Sequence, residues 1–370
     1  MIPVPSSWCE IHRDRISRNL ELALGLVPNG VHFCAVLKSD AYGHGIGQVV
    51  PLLQEQGVAR IGITSNAEAR AVREAGFSGT VIRLRAATPK EMDGALADRV
   101  QEQAGSLAAA KQVRAITGAT RGRAGVHLAL NAAGMSRDGL EISTEAGQEA
   151  CRDILEEIGQ GVVGICTHFP ANDPVQLQQS SDLFQQQVSW VLGNSDLKRS
   201  EVLVHAGSTL TLISGERIET DMYRCGAILY GFLKPDLGFR PTMELKARVV
   251  NIGDYPKGSR VGYDRASCLE QDRRLACISI GYAAGFSRIA QGRGAVLVKD
   301  HLAPVLGKVS MNSIVADVTD IKGVQVGDEV TVFGGDGINA IGPDAAAEQF
   351  QTILPDLFTD WGMRNQRVYF

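Results

Sequence analysis

The chain has 370 residues, 44% of them hydrophobic and 21% charged, with a formal net charge of −4. That length exceeds what one core usually serves and points to two domains, while the charge leaves no electrostatic footprint for nucleic acid or an anionic membrane, so small molecules are the expected partners. No apolar run approaches a bilayer span, and Met1-Ile-Pro-Val-Pro5 lacks the basic start and long apolar stretch of a signal peptide; the expectation is a cytoplasmic protein, or a periplasmic one if a leader has been removed. Seven cysteines, at 9, 34, 151, 166, 225, 268 and 277, make no CxxC pair or metal spacing, so reduced structural thiols and no metal are expected.

From about residue 10 to 235, helix-like segments such as Arg15 to Leu26, Ala67 to Ala75 and Val175 to Leu192 alternate with short apolar runs. The runs are Phe33 to Lys38, Arg60 to Thr64, Thr80 to Arg85, Val126 to Asn131, Gly161 to Thr167, Glu201 to Ala206 and Tyr223 to Gly231, with a weaker one at Val100 to Ala104. Continuous rather than alternating apolar runs imply strands covered on both faces, hence parallel strands with helical crossovers. Eight such units predict a (β/α)8 TIM barrel over residues 1–235, whose first ten or so residues could pack with the C-terminal domain. No Gly-x-Gly-x-x-Gly follows the first strand, which disfavours a doubly wound sheet.

After Pro235 helical periodicity vanishes. Glu244 to Ile252, Ala276 to Ile280, Ala295 to Val298 and Val330 to Phe333 alternate between turn signals, predicting a mostly-β domain over 236–370.

In a barrel, reactive groups belong at the C-terminal ends of the strands. Lys38 closes the first apolar run, where an apolar setting favours a neutral amine able to condense with an aldehyde. Tyr42 follows four residues later. Arg137 follows the fifth strand and His168 the sixth; Gly207, Ser208, Thr209, Gly226 and Ala227 expose backbone N–H groups after the seventh and eighth, the usual phosphate position of this fold, with Arg224 beside them. In the β domain Tyr263 and Tyr282 adjoin glycines, and Met311 and Asn312 follow a turn. A tyrosine acting as a base near neutrality needs roughly 4 kcal/mol of help from its surroundings, hence a nearby cation.

The strings Ala35-Val-Leu-Lys-Ser-Asp-Ala-Tyr-Gly-His44, Gly134-Met-Ser-Arg137, Thr167-His-Phe169, Arg224-Cys-Gly-Ala-Ile-Leu-Tyr-Gly231, Val261-Gly-Tyr263, Ile280-Gly-Tyr-Ala283, Val309-Ser-Met311 and Asn365-Gln-Arg-Val-Tyr369 resemble alanine racemases, fold-type III enzymes of pyridoxal 5'-phosphate (PLP), over nearly the whole chain. The resemblance implies that Lys38 carries PLP and acts as one base, and that Tyr263, donated by the partner in a homodimer, acts as the other. It further implies that Arg224 meets the pyridine nitrogen and Arg137 the cofactor's phenolic oxygen and the substrate. His168 would stand behind Tyr263 and Arg224. Tyr42, Ser208, Thr209, Gly226, Ala227 and Tyr369 would hold the phosphate, and Tyr282, Met311 and Asn312 would face the substrate.

Departures refine this. Ala129 stands where many alanine racemases carry a lysine, and His127 to Leu140, Tyr255-Pro-Lys-Gly258, Gly262-Tyr-Asp-Arg265 and Trp361 to Val368 resemble the broad-specificity amino-acid racemases. Ser208 and Ala284 replace residues usual in the family. A broad-specificity racemase is therefore expected, with a strict alanine racemase as the alternative; a PLP-binding protein lacking the second domain, or a fold-type III decarboxylase, fits the motifs less well.

Overall fold

The computed structural model describes residues 4–120, 125–135, 138–170, 173–335 and 337–370. Its strands in chain order are β1 (Ser7–Ile11), β2 (His32–Val36), β3 (Arg60–Ile63), β4 (Thr80–Arg83), β5 (Val100–Ala104), β6 (Val126–Ala129), β7 (Val162–Cys166), β8 (Leu203–His205), β9 (Gly207–Ser208) and β10 (Met222–Cys225). There follow β11 (Met243–Tyr255), β12 (Arg260–Val261), β13 (Ser267–Cys268), β14 (Arg273–Ile278), β15 (Ala295–Val298), β16 (His301–Leu306), β17 (Ile314–Asp317), β18 (Glu329–Phe333) and β19 (Gln366–Tyr369). Two compact units result: a barrel unit of Ser17–Ala41 and Ile46–Leu229, and a β unit of Met1–Ile16, Tyr42–Gly45 and Tyr230–Phe370.

In the barrel unit the strand order is β8-β7-β6-β5-β4-β3-β2-β10-β9, every pair parallel. Both ends of that order lie next to each other along the chain, separated only by Ala206, which brings the sheet round to a TIM-type barrel. The weak run at 100–104 is a full strand. The seventh run forms β8 and is followed by the short β9; at Ala206 between them the N–H goes to Thr220 Oγ1 at 3.2 Å. All four residues of β6 and of β10 are buried, as strands covered on both faces require.

In the β unit, β14-β17-β16-β15-β18-β11-β1-β19 form one sheet, and a further β14–β11 pairing closes six of these strands into a ring that leaves no edge between them. The thirteen-residue β11 pairs with β1, β18 and β14. Two helices, Pro343–Phe350 and Leu354–Arg364, depart from the expectation that helical periodicity ends at Pro235. The second carries its buried Leu354, Leu357, Phe358 and Trp361 at i, i+3, i+4 and i+7, a helical stripe that short length hides among strands. Trp361, wholly buried, packs tilted against Phe333 and edge-on to Phe350, with centroids 5.4 and 5.7 Å apart, and donates Nε1–H to Gly285 O at 3.1 Å. Among the described residues no helix is long and apolar enough to cross a membrane.

Candidate active site

Strand β2 ends at Val36, and Lys38 opens a turn of opposite hand to an ordinary helix. Ser39, Asp40 and Ala41 have φ/ψ of 55/51, 51/52 and 57/48, and Tyr42 has φ 53. The Ala41 N–H reaches Leu37 O at 2.9 Å, so this is a left-handed helical turn. Four non-glycine residues in this region cost roughly 1–2 kcal/mol each, and two carboxylates hold them there. Glu68, in the capping box of the helix Asn66–Glu74, accepts Ser39 N–H and Thr64 N–H, each at 2.7 Å, and Ser65 N–H at 3.1 Å. Asp40 Oδ1 accepts Ile46 N–H at 2.8 Å. Lys38 is thus presented, half-buried, at the C-terminal end of a barrel strand on a clamped turn.

Other nominated residues share that end of the barrel unit. His168 lies two residues beyond β7, half-buried. Ser208 is the register partner of Arg224 across the β9–β10 pair. Ser208 caps the short helix Thr209–Ile213, and Thr209 Oγ1 accepts the Gly226 N–H at 3.2 Å, tying the two loops together; Ala227 follows at once. Strand β10 also pairs with β2, matching Arg224 with Cys34, so the Arg224 and Lys38 strands are neighbours.

Arg224 is buried and well held. Its Nη1 donates to His205 Nδ1 at 2.6 Å and His205 O at 2.9 Å, and its Nη2 to Thr167 O at 2.7 Å and Ala206 O at 3.3 Å. His205 Nε2 lies 2.8 Å from His127 Nδ1, and His127 Nε2 lies 2.9 Å from Gln101 Oε1. Burial pushes the thiols of Cys34, Cys166 and Cys225 up to about 12, which leaves them inert as nucleophiles. The rim therefore offers an amine, a donor-only guanidinium, two hydroxyls and backbone N–H groups. That set suits an anionic, acceptor-rich aldehyde such as PLP.

In the β unit three loops converge. A Cβ added at Gly262 would lie 2.6 Å from Lys308 N, and one at Gly281 2.3 Å from Ser310 O, so the Tyr263 loop abuts Lys308 and the Tyr282 loop abuts Ser310. Tyr282 N–H donates to Ser310 O at 3.1 Å and Ala283 N–H to Met311 O at 3.0 Å. Tyr263, Tyr282 and Met311 are 66%, 36% and 53% exposed, and Asn312 is exposed beside them. Asp264, at φ 56, is ion-paired with Lys308, which fastens the Tyr263 turn. Tyr42 is buried against Tyr230, with ring centroids 4.9 Å apart, and Tyr369 Oη would stand 2.7 Å from a Cβ at Gly45.

Arg137 lies outside the described residues. Ala129 and Asn131 are buried, and Asn131 Nδ2 donates to Gly139 O at 3.0 Å. Sequence reasoning passed over Glu68, Gln101 and the pairing of His127 with His205. Ser65-x-x-Glu68 is a legible capping signature, but the second partner of Glu68, Ser39, is set only by the fold. Among the described residues Glu10, His12 and Glu244 form a metal-like group, yet Lys246 Nζ stands 3.1 Å from Glu244 and Arg15 Nη1 3.3 Å, so cationic side chains already answer these carboxylates.

Residues 11–234 match the family described as "Alanine racemase, N-terminal domain" and residues 242–369 match "Alanine racemase, C-terminal domain". Lysine racemase of Proteus mirabilis is 38% identical over 369 residues, covering 99% of this chain and 90% of its own length. Broad specificity amino-acid racemase of Pseudomonas putida is 36% identical over 364 residues, covering 98% and 89%. Among solved structures, alanine racemase of Clostridium difficile 630 matches with a TM-score of 0.90 at 25% identity, covering 100% of this chain and 97% of that one.

Proposed function

The chain belongs to the alanine racemase family, and from that premise we propose that it is a PLP-dependent amino-acid racemase of broad specificity working as a homodimer. The observation that carries the reading is Lys38, an amine offered on a clamped left-handed turn at the barrel rim, one strand away from donor-only Arg224.

Lys38 would hold the cofactor, with Ser208, Thr209, Gly226, Ala227, Tyr42 and Tyr369 around its phosphate and Arg137 toward its phenolic oxygen and the substrate. Bound there, PLP supplies an electron sink for the charge left on the substrate α-carbon when its proton departs. Racemisation then needs a base on each face. Lys38 Nζ takes or returns the proton on one face; Tyr263 Oη of the partner subunit does so on the other, and its exposure in the single chain suits a residue presented to a neighbour. Arg224 never gives up its proton, so it disfavours a proton on the pyridine nitrogen and favours return of the proton to the α-carbon. His168 supports Tyr263 and Arg224, and Tyr282, Met311 and Asn312 line the substrate side. Seven cysteines without a disulfide fit a reducing cytoplasm.

Broad specificity draws support from the relatives named lysine racemase and broad specificity amino-acid racemase, and from Ala129, a small buried side chain at the end of β6. The test is a panel of single L-amino acids with chiral chromatography and borohydride mapping of the pyridoxyl adduct. Lysine, arginine and methionine should racemise alongside alanine or serine, with the adduct on Lys38. Turnover confined to alanine, the three others falling below roughly a hundredth of it, about 2.7 kcal/mol in barrier, overturns broad specificity, and an adduct elsewhere overturns Lys38.

A further inference from the structure

We propose that Gln101 and His127 are positioning residues that set the tautomer of His205, and through it lock the Arg224 guanidinium as a one-way donor at the barrel rim; the catalytic meaning of this lock rests on the racemase reading.

The argument starts from what each group can do. Arginine has five N–H donors and no acceptor. The 2.6 Å contact of Arg224 Nη1 with His205 Nδ1 therefore makes Nδ1 the acceptor, and a neutral His205 must carry its proton on Nε2. That proton faces His127 Nδ1 at 2.8 Å, so His127 Nδ1 also accepts and His127 carries its proton on Nε2. The last proton points at Gln101 Oε1, 2.9 Å away, an amide oxygen that only accepts. Every proton in the chain Arg224 to His205 to His127 to Gln101 points the same way. Reversing either ring sets N–H against N–H or leaves a buried nitrogen without a donor, which costs about 1–3 kcal/mol.

The surroundings agree with neutral rings. Burial pushes His127 down to about 3, with the charges of Arg224 and Arg60 adding to the shift. Burial likewise holds His205 well below the ordinary histidine range, with Arg224 and then His127 contributing. The packing is specific as well. The two rings span from β6 to β8 across β7, where Gly164 leaves room, since a Cβ there would lie 2.2 Å from His127 Nδ1. At the far end the Gln101 amide nitrogen sits against Gly125, whose added Cβ would be 3.1 Å away.

Such a chain is a lock and not a proton wire. Passing a proton along it would flip both tautomers and aim His205 Nδ1–H at Arg224, whose N–H cannot turn into an acceptor. Its effect is to orient the guanidinium before any cofactor arrives, so that this part of the site is preorganised.

The direct test is 15N NMR of the apo-protein labelled at histidine, with His127 and His205 assigned from single His→Gln replacements. Both rings should be neutral and protonated on Nε2 at neutral pH. An Nδ1–H tautomer or an imidazolium at either position overturns the proposal whether or not the protein racemises anything. In the holoenzyme, Gln101→Leu leaves the His127 Nε2–H without its acceptor, and should shift the His127 and His205 15N resonances, alter the PLP absorption band and lower kcat about three- to tenfold, one lost hydrogen bond's worth, with KM held within about twofold. If Gln101→Leu leaves resonances, band and kcat as in the wild type, Gln101 has no positioning role. Failure of the wild type to racemise would instead strike the functional reading and leave the tautomer result standing.

Discussion

Replacing Glu68 with alanine probes the clamp on the lysine turn most sharply. The carboxylate accepts three backbone N–H groups, Ser39 and Thr64 at 2.7 Å and Ser65 at 3.1 Å, and the Thr64 hydroxyl at 3.1 Å. Hydrogen bonds to a charged group contribute about 1.5–3 kcal/mol each. Ser39 is exposed, so water can replace its bond at little cost, whereas Thr64 and Ser65 are half-buried. Two retained penalties near the low end of that range give a loss of about 3 kcal/mol, with the capping box included. The left-handed turn itself holds four residues at a combined cost of roughly 4–8 kcal/mol, so slackening one of its two clamps should also let Ser39 to Ala41 relax. Urea denaturation followed by circular dichroism should show Glu68→Ala less stable by about 2–4 kcal/mol and Glu68→Gln by about half as much, because one carbonyl oxygen remains to accept. Amide exchange at Ser39 and Ala41 should speed up in both variants. A Glu68→Ala protein within about 0.5 kcal/mol of the wild type, with unchanged exchange at Ala41, would show that the turn does not depend on this carboxylate.

Other parts of the fold give two more expected outcomes. Gly164→Ala places a methyl group 2.2 Å from His127 Nδ1, so thermal unfolding should show about 1–3 kcal/mol of destabilisation from overpacking together with a disturbed His127 resonance; unchanged stability contradicts that close packing. Burial alone would raise the Glu244 carboxyl, but the His12 ring 3.3 Å away, the Lys246 ammonium at 3.1 Å and the Gly335 N–H at 3.3 Å hold it down at about 2 against 4.5 for an ordinary glutamate. Its contribution, of order 2–4 kcal/mol, is therefore present above pH 4.5 and lost as the pH falls toward about 2. Melting temperature measured across that window should drop steeply for the wild type and less steeply for Glu244→Gln, which starts lower at neutral pH; parallel curves would remove Glu244 from the acid response.

Much of the architecture is legible in the chain before folding, because hydrophobic period is local. Runs such as Val126 to Asn131 and Gly161 to Thr167 are continuous where a strand is covered on both faces, and beyond Pro235, where the texture changes, strands pair antiparallel except β19 with β1. The sequence also nominated Lys38, Arg224 and Tyr263, since each sits in a short string beside glycines or strand ends. The helix Leu354–Arg364 was equally legible in its i, i+3, i+4, i+7 stripe, but the short strands around it masked the period. How distant residues meet is settled only in the folded chain. Glu68 reaches Ser39 across 29 positions and His127 reaches His205 across 78. Neither pairing has a local signature, because a buried donor takes whatever acceptor the barrel's closure brings within about 3 Å. The direction of each proton in the chain from Arg224 to Gln101 exists only after that closure, when a group that can only donate and a group that can only accept are set at its two ends.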